Sequence, residues 1–355
     1  MKKKKIVRVL LLLLVIVGSL AFLQRLLMPK YMTGVVEGAL VGEYYQAEKD
    51  HDVIMIGDCE VYENLSPIKL WEDYGITSYI RGSAQQLIWQ SYYLLEDTLK
   101  YEKPKVVVFN VLSMKYNEPQ KEAYNRMTLD GMKWSPSKVR AVKASMTEDE
   151  EFLDYVFPIL RYHSRWSDLS RDDFTYLFHR DQVSHNGYYM RVDVKPAGTF
   201  PREKRLANYQ FGDQAYRYLD MMTELCKENG IHLVLIKAPS LYPVWYDEWD
   251  QQMEEYAKAH DLQYINFLEE TQAAGLDFTE DTYDGGLHLN LAGAEKLSAY
   301  FGKILQDTYE LEDHRNDPDL KALWEQKKTF YQNMKADQEN ELNTYGYLTR
   351  FSVDQ

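Results

Sequence analysis

The sequence contains little cysteine. Only Cys59 and Cys226 occur among 355 residues, too few for the disulfide framework of a small secreted domain or for a cysteine-rich metal site. A chain of this length can bury one substantial core, or one core with a large insertion, without such cross-links. No set of histidines and carboxylates shows metal-ligand spacing either. We therefore predict no metal and no cofactor, and each cysteine is either reactive or simply buried.

Basic residues are also scarce outside the N-terminus. The formal net charge is −14, yet the first 30 residues hold seven cations and no acidic residue. The remainder of the chain thus has 34 basic and 55 acidic residues, a net charge of −21. A body this acidic should repel polyanions, so we predict no nucleic acid partner.

Long apolar runs are absent apart from one near the N-terminus. The run from Val9 to Leu23 follows the lysines at positions 2–5 and, with its flanks, reaches the roughly 20 residues that cross a bilayer. We predict a cytoplasmic tail and a single transmembrane anchor over residues 1–30, with the body on the extracellular face of the cell membrane. The alternative is a signal peptide cleaved near Ser19–Ala21, but the apolar run continues past that site. In either case the body is exported.

After a predicted stalk over residues 31–50, strands and helices alternate, which is typical of a parallel sheet flanked by helices. The predicted strands are 53–56, 77–80, 106–109, 232–236 and 263–267, and the predicted helices are 66–74, 84–100, 213–229, 247–260 and 292–306. We predict one α/β domain over 51–310, with a large insertion at about 115–205 where the alternation lapses. A C-terminal helical tail over 311–355 has little apolar face, and we expect it to be peripheral.

Chemistry in an open parallel sheet occurs where loops leave the carboxyl ends of strands. The segment Gly57-Asp58-Cys59-Glu60 follows the first strand directly. The turn would present Cys59 at the sheet edge near a helix N-terminus, as a nucleophile. The acids beside it oppose thiolate formation, so a nearby imidazole would be needed. A buried turn cysteine is the structural alternative.

A second candidate segment precedes the last predicted helix of the domain. Asp284 and His288 lie there in a loop with two glycines, and a carboxylate ahead of a histidine can orient the imidazole as in a catalytic triad. Asp281 is the fallback partner, and Asp284 would then serve only as a turn former. A lone histidine is more often structural, but the preceding aspartate favours a functional one.

Hydrogen-bond donors follow the second and third predicted strands. The backbone amide at Gly82 and the side-chain amide of Asn110 are donors of the kind that an oxyanion hole requires. Taken alone, Asn110 is equally typical of a turn, and Gln85 and Gln86 could simply cap the following helix.

In this order the three segments resemble the SGNH/GDSL hydrolase family. The run VIMIGDCE (53–60) is similar to the first block, where the family places its nucleophilic serine two residues after the glycine; the equivalent here is Cys59. Gly82 resembles the second-block glycine, Asn110 the third-block asparagine, and Asp284 with His288 the terminal block. The sequence departs from the family in three ways: cysteine replaces serine, three residues instead of two separate the terminal pair, and Gly-x-Asn-Asp is absent.

The resemblance implies a flavodoxin-like, three-layer parallel sheet and acyl-transfer chemistry. The anchored, exported topology, the run 76–83 and the motif at 289–294 are similar to the branch that modifies cell walls and exopolysaccharides, including D-alanyl transfer proteins of lipoteichoic acid synthesis and alginate acetylation proteins. This implies a carbohydrate or cell-wall polymer as substrate and a membrane-bound O-acyltransferase as partner. Aromatic side chains suit sugar stacking. The substrate-binding residues that we predict are Asp58, Gln85, Trp166 and Tyr242.

Two functions follow from the sequence. The first is an exported, membrane-anchored esterase or O-acyltransferase with Cys59 as nucleophile and His288 as base. The second is a catalytically inactive protein of the same fold that binds a glycan or acts as a scaffold in a polysaccharide-modification complex. The acids on either side of Cys59 and the wide spacing of Asp284 and His288 motivate the second.

Overall fold

The computed structural model describes residues 2–29, 37–179, 182–199 and 204–349. Parts of the predicted stalk, insertion and tail lie outside the described residues, namely 31–36, 180–181, 200–203 and 350–355.

A single parallel sheet forms the centre of the described body. Its strands are β1 (Val53–Gly57), β2 (Ser78–Gly82), β3 (Val106–Asn110), β4 (His232–Lys237) and β5 (Gln263–Asn266). The spatial order is β2-β1-β3-β4-β5, and every neighbouring pair is parallel. Interior strands of a parallel sheet are buried on both faces, and all five residues of β1 and of β3 are buried. The predicted α/β class is confirmed.

The helices of the described residues are α1 (Lys2–Leu27), α2 (Glu37–Glu43), α3 (Cys59–Tyr62), α4 (Pro67–Tyr74), α5 (Ile88–Thr98), α6 (Glu122–Leu129), α7 (Pro136–Ser145), α8 (Phe152–Val156), α9 (Pro158–Tyr162), α10 (Arg171–Phe178), α11 (Asp213–Glu228), α12 (Asp247–His260), α13 (Leu291–Tyr309) and α14 (Pro318–Tyr345). The predicted ends of α4 are confirmed. Ser66 caps its N-terminus, and Gly75 ends it in a left-handed conformation.

Helices pack on both faces of the sheet, so side chains alternate between two apolar cores along each strand. Ile54 and Leu235 point into a core with α5, α11 and α12. Met55 and Val234 point into the opposite core with α4, α13 and α14. This layering follows from the period of two residues in a strand.

Helix α5 begins four residues later than predicted. Gln85 adopts a left-handed conformation with φ of 50°, and the Gln86 side chain donates to the carbonyl oxygen of Arg81 and the hydroxyl of Ser91. Residues 84–87 therefore form a turn that closes over the end of β2, and the first helical turn starts only after it.

The tail helix α14 belongs to the body although few of its residues are apolar. Trp324 is fully buried and stacks on Trp71 of α4 with ring centroids 5.0 Å apart. Tyr331 is also buried, and its hydroxyl donates to Glu295 of α13. The expectation of a peripheral helix was wrong for these positions, because a few large aromatic residues make the contact without forming a continuous stripe.

One helix in the described part of the chain is long and apolar enough to cross a membrane. It covers Lys3–Leu27, and its most apolar stretch of 18 residues has a mean hydropathy of 2.8 and is not buried against the body. Burial begins only at Leu26 and Leu27. The predicted anchor thus has the length and composition of a membrane span.

Candidate functional site

The loops that follow β1 and β3 meet where the strand order reverses. Strand β1 lies between β2 and β3, so the chain leaves β1 toward one side and returns on the other. The carboxyl ends of strands at such a reversal are the usual ligand site of an open parallel sheet. Asn110 ends β3, and Cys59 follows β1 by two residues.

The turn that carries Cys59 requires a glycine before it. A Cβ atom at Gly57 would come within 2.5 Å of the Val61 side chain and 3.1 Å of the Asn110 Cβ. Asp58 caps the short helix α3 by accepting a hydrogen bond from the Glu60 amide at 3.2 Å. Cys59 is the first residue of α3, and its side chain is half-buried.

The loop before α13 holds His288 through a carboxylate. The Asp284 Oδ2 atom lies 2.7 Å from His288 Nδ1, and Asp284 Oδ1 accepts from the backbone amide of the same histidine at 2.9 Å. Burial opposes ionisation of Asp284, but the hydrogen bonds from His288 outweigh it and lower the pKa of the carboxyl. The two contacts fix both the ring and its backbone.

The other ring nitrogen of His288 is available. Nε2 is buried and has no hydrogen-bond partner among the described residues. Cys59 and His288 lie close enough to shift each other's pKa, although the pair lacks the geometry of a formed hydrogen bond. Catalytic contacts are often loose before substrate binds.

A second carboxylate, which the sequence did not reveal, faces the same imidazole. Glu63 Oε2 lies 3.8 Å from His288 Nδ1 and accepts a hydrogen bond from the Tyr283 hydroxyl. Its position four residues after Cys59, directly after α3, is the only sequence signal that could have suggested it. Both carboxylates therefore face Nδ1 of His288.

The local charges determine the protonation of the pair. Burial raises the pKa of the Cys59 thiol to about 11; His288 opposes this rise, and Asp58 and Glu63 add to it. Burial would lower the pKa of His288, but Glu63, Cys59 and the bond from Asp284 raise it well above its ordinary value. The acidic neighbours thus favour the protonated imidazole, and burial favours the neutral thiol.

Asp281 lies elsewhere in the same loop. Both of its carboxylate oxygens accept from Lys296 Nζ, at 2.8 and 2.7 Å, and it also accepts from the Asp277 amide. Asp281 thus ties the loop to α13, whereas Asp284 contacts the imidazole.

Asn110 joins a buried polar network behind Cys59. Its Nδ2 donates to Asp58 Oδ1 at 3.2 Å and to Glu60 Oε2 at 3.1 Å, and its Oδ1 accepts from the Ala238 amide. Glu60 Oε2 also pairs with Lys237 Nζ at 2.8 Å. Both amide hydrogens of Asn110 are therefore used by carboxylates in this arrangement.

The network also perturbs Asp58. Burial, followed by the charge of Glu60, raises the pKa of Asp58 to about 6, while Lys115 and Lys237 act against the rise. We did not predict from the sequence that Lys237, the last residue of β4, would supply the balancing charge. Its position at the carboxyl end of β4 is the one feature that could have suggested it.

Gly82 lies directly beside Gly57 in the sheet register. A Cβ atom at Gly82 would come within 3.0 Å of the Gly57 carbonyl oxygen and 3.2 Å of the Tyr62 ring. The position thus has no room for a side chain.

Gln85 is exposed on the turn after β2, and Ser83 in the same turn shares a short hydrogen bond with Thr128 of α6.

The two predicted sugar-stacking residues lie in different places. Tyr242 is partly exposed in the loop after β4, next to Leu241, whose amide donates to the Gly286 carbonyl at 2.8 Å. It therefore adjoins the loop of Asp284 and His288. Trp166 lies in the insertion, in a 3₁₀ turn (His163–Ser167) that contacts the end of α1.

Asn64 joins the two halves of the site. Its Oδ1 accepts from the Leu289 amide at 2.8 Å, and its Nδ2 donates to the Ser240 hydroxyl at 3.4 Å. The turn after β1, the loop after β4 and the histidine loop are thereby connected through one buried side chain.

Compared with known proteins, the sequence matches no family model and no curated protein. Within the described residues, no group of three or more histidine, cysteine, aspartate or glutamate side chains is arranged to hold a metal ion.

Proposed function

We propose that this protein is an exported, membrane-anchored esterase or O-acyltransferase of the SGNH/GDSL hydrolase type, acting on a cell-wall or extracellular polysaccharide. The N-terminus would lie in the cytoplasm and the α/β body on the extracellular face. Cys59 would be the nucleophile, His288 the base and Asp284 the residue that orients it.

One observation carries the proposal: a buried imidazole is fixed through Nδ1 by Asp284 at 2.7 Å, its Nε2 has no hydrogen-bond partner among the described residues, and Cys59 lies near enough to raise the pKa of the ring. A nucleophile, a base and an orienting carboxylate in this order form the constellation of acyl transfer on several folds. Their location at the carboxyl ends of the strands agrees with such a site.

The reaction would proceed in two balanced steps. The Cys59 thiol loses its proton to His288 Nε2, sulfur attacks the ester carbonyl, and the departing alcohol takes that proton as an acyl-thioester forms. Water or a glycan hydroxyl then attacks the thioester. His288 accepts the proton of the attacking group and returns it to the released sulfur.

Protonation limits the first step. The imidazole must be neutral to accept a proton, yet Glu63 and Asp284 favour its charged form. The oxyanion would be stabilised near Gly82. Asn110 could contribute there only after giving up a hydrogen bond to Asp58 or Glu60.

The acceptor would be a neutral or locally presented glycan, because a body with a net charge of −21 is poorly suited to grip a phosphate-rich polymer. Tyr242 adjoins the histidine loop and would offer its ring to a sugar. A membrane-bound O-acyltransferase would supply the acyl group from the same membrane.

The test is capture of the acyl-thioester. The full chain in detergent is treated with p-nitrophenyl acetate and analysed by intact-mass spectrometry and peptide mapping. We expect one acetyl group on Cys59, and turnover at least about 10³-fold lower in Cys59→Ala. The matched control Cys226→Ala should keep the acetyl group on Cys59 and the wild-type turnover, since Cys226 is buried in α11. Wild-type turnover in Cys59→Ala would refute the nucleophile assignment.

A catalytically inactive glycan-binding or scaffold protein is the second candidate. The observation that favours it is the pKa of Cys59, which burial raises to about 11 with Asp58 and Glu63 reinforcing the rise. A thiol with this pKa is a poor nucleophile at neutral pH. Absence of the acetyl adduct, together with saturable glycan binding in calorimetry that survives Cys59→Ala, would favour this function over the first.

A further inference from the structure

The end of helix α1 enters the body at the insertion. The apolar run stays exposed up to Leu23, and Leu26 and Leu27 are buried. Arg165 Nη1 donates to the Leu27 carbonyl at 2.6 Å, and α1 contacts α9, α10 and the turn His163–Ser167. The body thus meets α1 within about one helical turn of the end of its apolar run.

The insertion next to this junction exposes large apolar side chains. We call these six residues the insertion surface: Leu153, Phe157, Leu160, Trp166, Phe174 and Phe178. Trp166 is 74% exposed and Phe178 is 87% exposed. Single exposed apolar residues are ordinary, but a cluster of them on adjoining elements indicates a covered surface.

The composition of this region differs from that of the rest of the body. Residues 152–179 include eight aromatic residues among 28, about twice the 14% share in the whole chain. They carry three arginines and four aspartates. The net charge of this segment is therefore close to zero, whereas the body as a whole is strongly acidic. An acidic surface is repelled by anionic lipid headgroups, whereas aromatic residues are enriched at the membrane interface.

We propose that the insertion surface docks into the interfacial layer of the bilayer that α1 spans. The position of the junction is the main argument, since the polypeptide leaves the apolar run beside these side chains. Exposed Trp, Phe and Leu bury favourably at the depth of lipid headgroups. The occupant is therefore lipid, on the side of the membrane where the body lies.

This docking would bring the candidate site close to the membrane. Glu122 of α6 pairs with Arg161 of α9 at 2.8 Å. Thr128 of α6 shares a short hydrogen bond with Ser83, the residue after Gly82, so α6 also adjoins the candidate site. The proposal rests on the membrane anchor and is independent of the chemistry at Cys59.

The test measures depth in the bilayer. Single cysteines are introduced as Trp166→Cys and Phe178→Cys in the full chain carrying Cys59→Ala and Cys226→Ala, and each is labelled with a nitroxide. The chain is reconstituted in nanodiscs of phosphatidylethanolamine and phosphatidylglycerol. Val15→Cys in α1 is the lipid control, and Tyr345→Cys, 58% exposed at the end of α14, is the water control.

The measured quantity is the collision rate of each nitroxide with oxygen and with a water-soluble nickel chelate. We expect the labels at 166 and 178 to collide several-fold more often with oxygen than with the chelate, like the label at 15. The label at 345 should collide more often with the chelate. Equal chelate access at 166, 178 and 345 would overturn the proposal. Protection in native membranes but not in pure-lipid nanodiscs would also overturn it, in favour of a protein partner. Circular dichroism melts check that each variant is folded.

Discussion

Lys237 and Glu60 form a fully buried ion pair, with Nζ and Oε2 2.8 Å apart and side-chain exposures of 0% and 1%. The pair connects the end of β4 to α3 beside Cys59. Lys237 Nζ also donates to the Ala238 carbonyl at 2.6 Å. The turn that presents the cysteine is thus held by a charge contact from a distant strand.

Removing one partner of this pair should destabilise the fold. We expect Lys237→Met to lower the free energy of unfolding by about 3–5 kcal/mol, because it leaves Glu60 buried without its counter-charge. The double variant Lys237→Met, Glu60→Leu should recover most of the loss. Urea denaturation measures the free energy of unfolding of the wild type and of both variants. The exposed Lys258→Met is the matched control, and an equal loss in it would contradict the role of the pair.

Asp58 should make stability depend on pH. Its folded pKa of about 6 lies above the ordinary 3.8, so its contribution to stability is full below about pH 4 and is lost as pH rises through 6. We expect Asp58→Asn to be more stable than the wild type at pH 8, by up to roughly 3 kcal/mol, and to show no such gain at pH 4. Urea midpoints at the two pH values measure the difference, with the exposed Asp337→Asn as control. A gain of the same size at both pH values would be inconsistent with titration of Asp58.

Glu63 should set the acid limb of the pH–rate profile. Acylation requires neutral His288, so the rate should rise with pH through the pKa of that imidazole. Because the Glu63 charge raises this pKa, Glu63→Gln should shift the rise to lower pH. Stopped-flow acylation from pH 5 to 10 measures the profile, and the exposed Glu280→Gln should leave it unchanged. A shift to higher pH in Glu63→Gln would reverse the assigned sign.

The two aspartates of the histidine loop should differ in function. We expect Asp284→Asn to lower the acylation rate about 10²-fold or more, because the ring loses the carboxylate that orients it. Asp281→Asn should mainly lower the melting temperature, since its partner is Lys296, and the folded fraction should keep its rate. Rates normalised to folded protein separate the two effects. Comparable rate losses in both variants would mean that the loop acts only as a scaffold.

The local sequence determined the elements of the fold. The strands ended within two residues of their predicted bounds, because short apolar runs bounded by turn residues are a local signal. Ser66, Pro67 and Gly75 defined α4 in the same way. The N-terminal helix that is long enough to span a membrane needed only the length and hydropathy of a continuous run. Cys59, Asp284 and His288 stood out for the same reason, since each lies next to a strand or helix end.

Only the tertiary structure determined what surrounds these residues. Glu63, Lys237 and Asn64 belong to the site through contacts with segments far from them in the chain. The choice between Asp284 and Asp281 depended on where Lys296 lies, and the location of Trp166 depended on where α1 meets the insertion. Charge pairing and burial depend on distances between segments far apart in the chain, and these are fixed by packing rather than by local propensity.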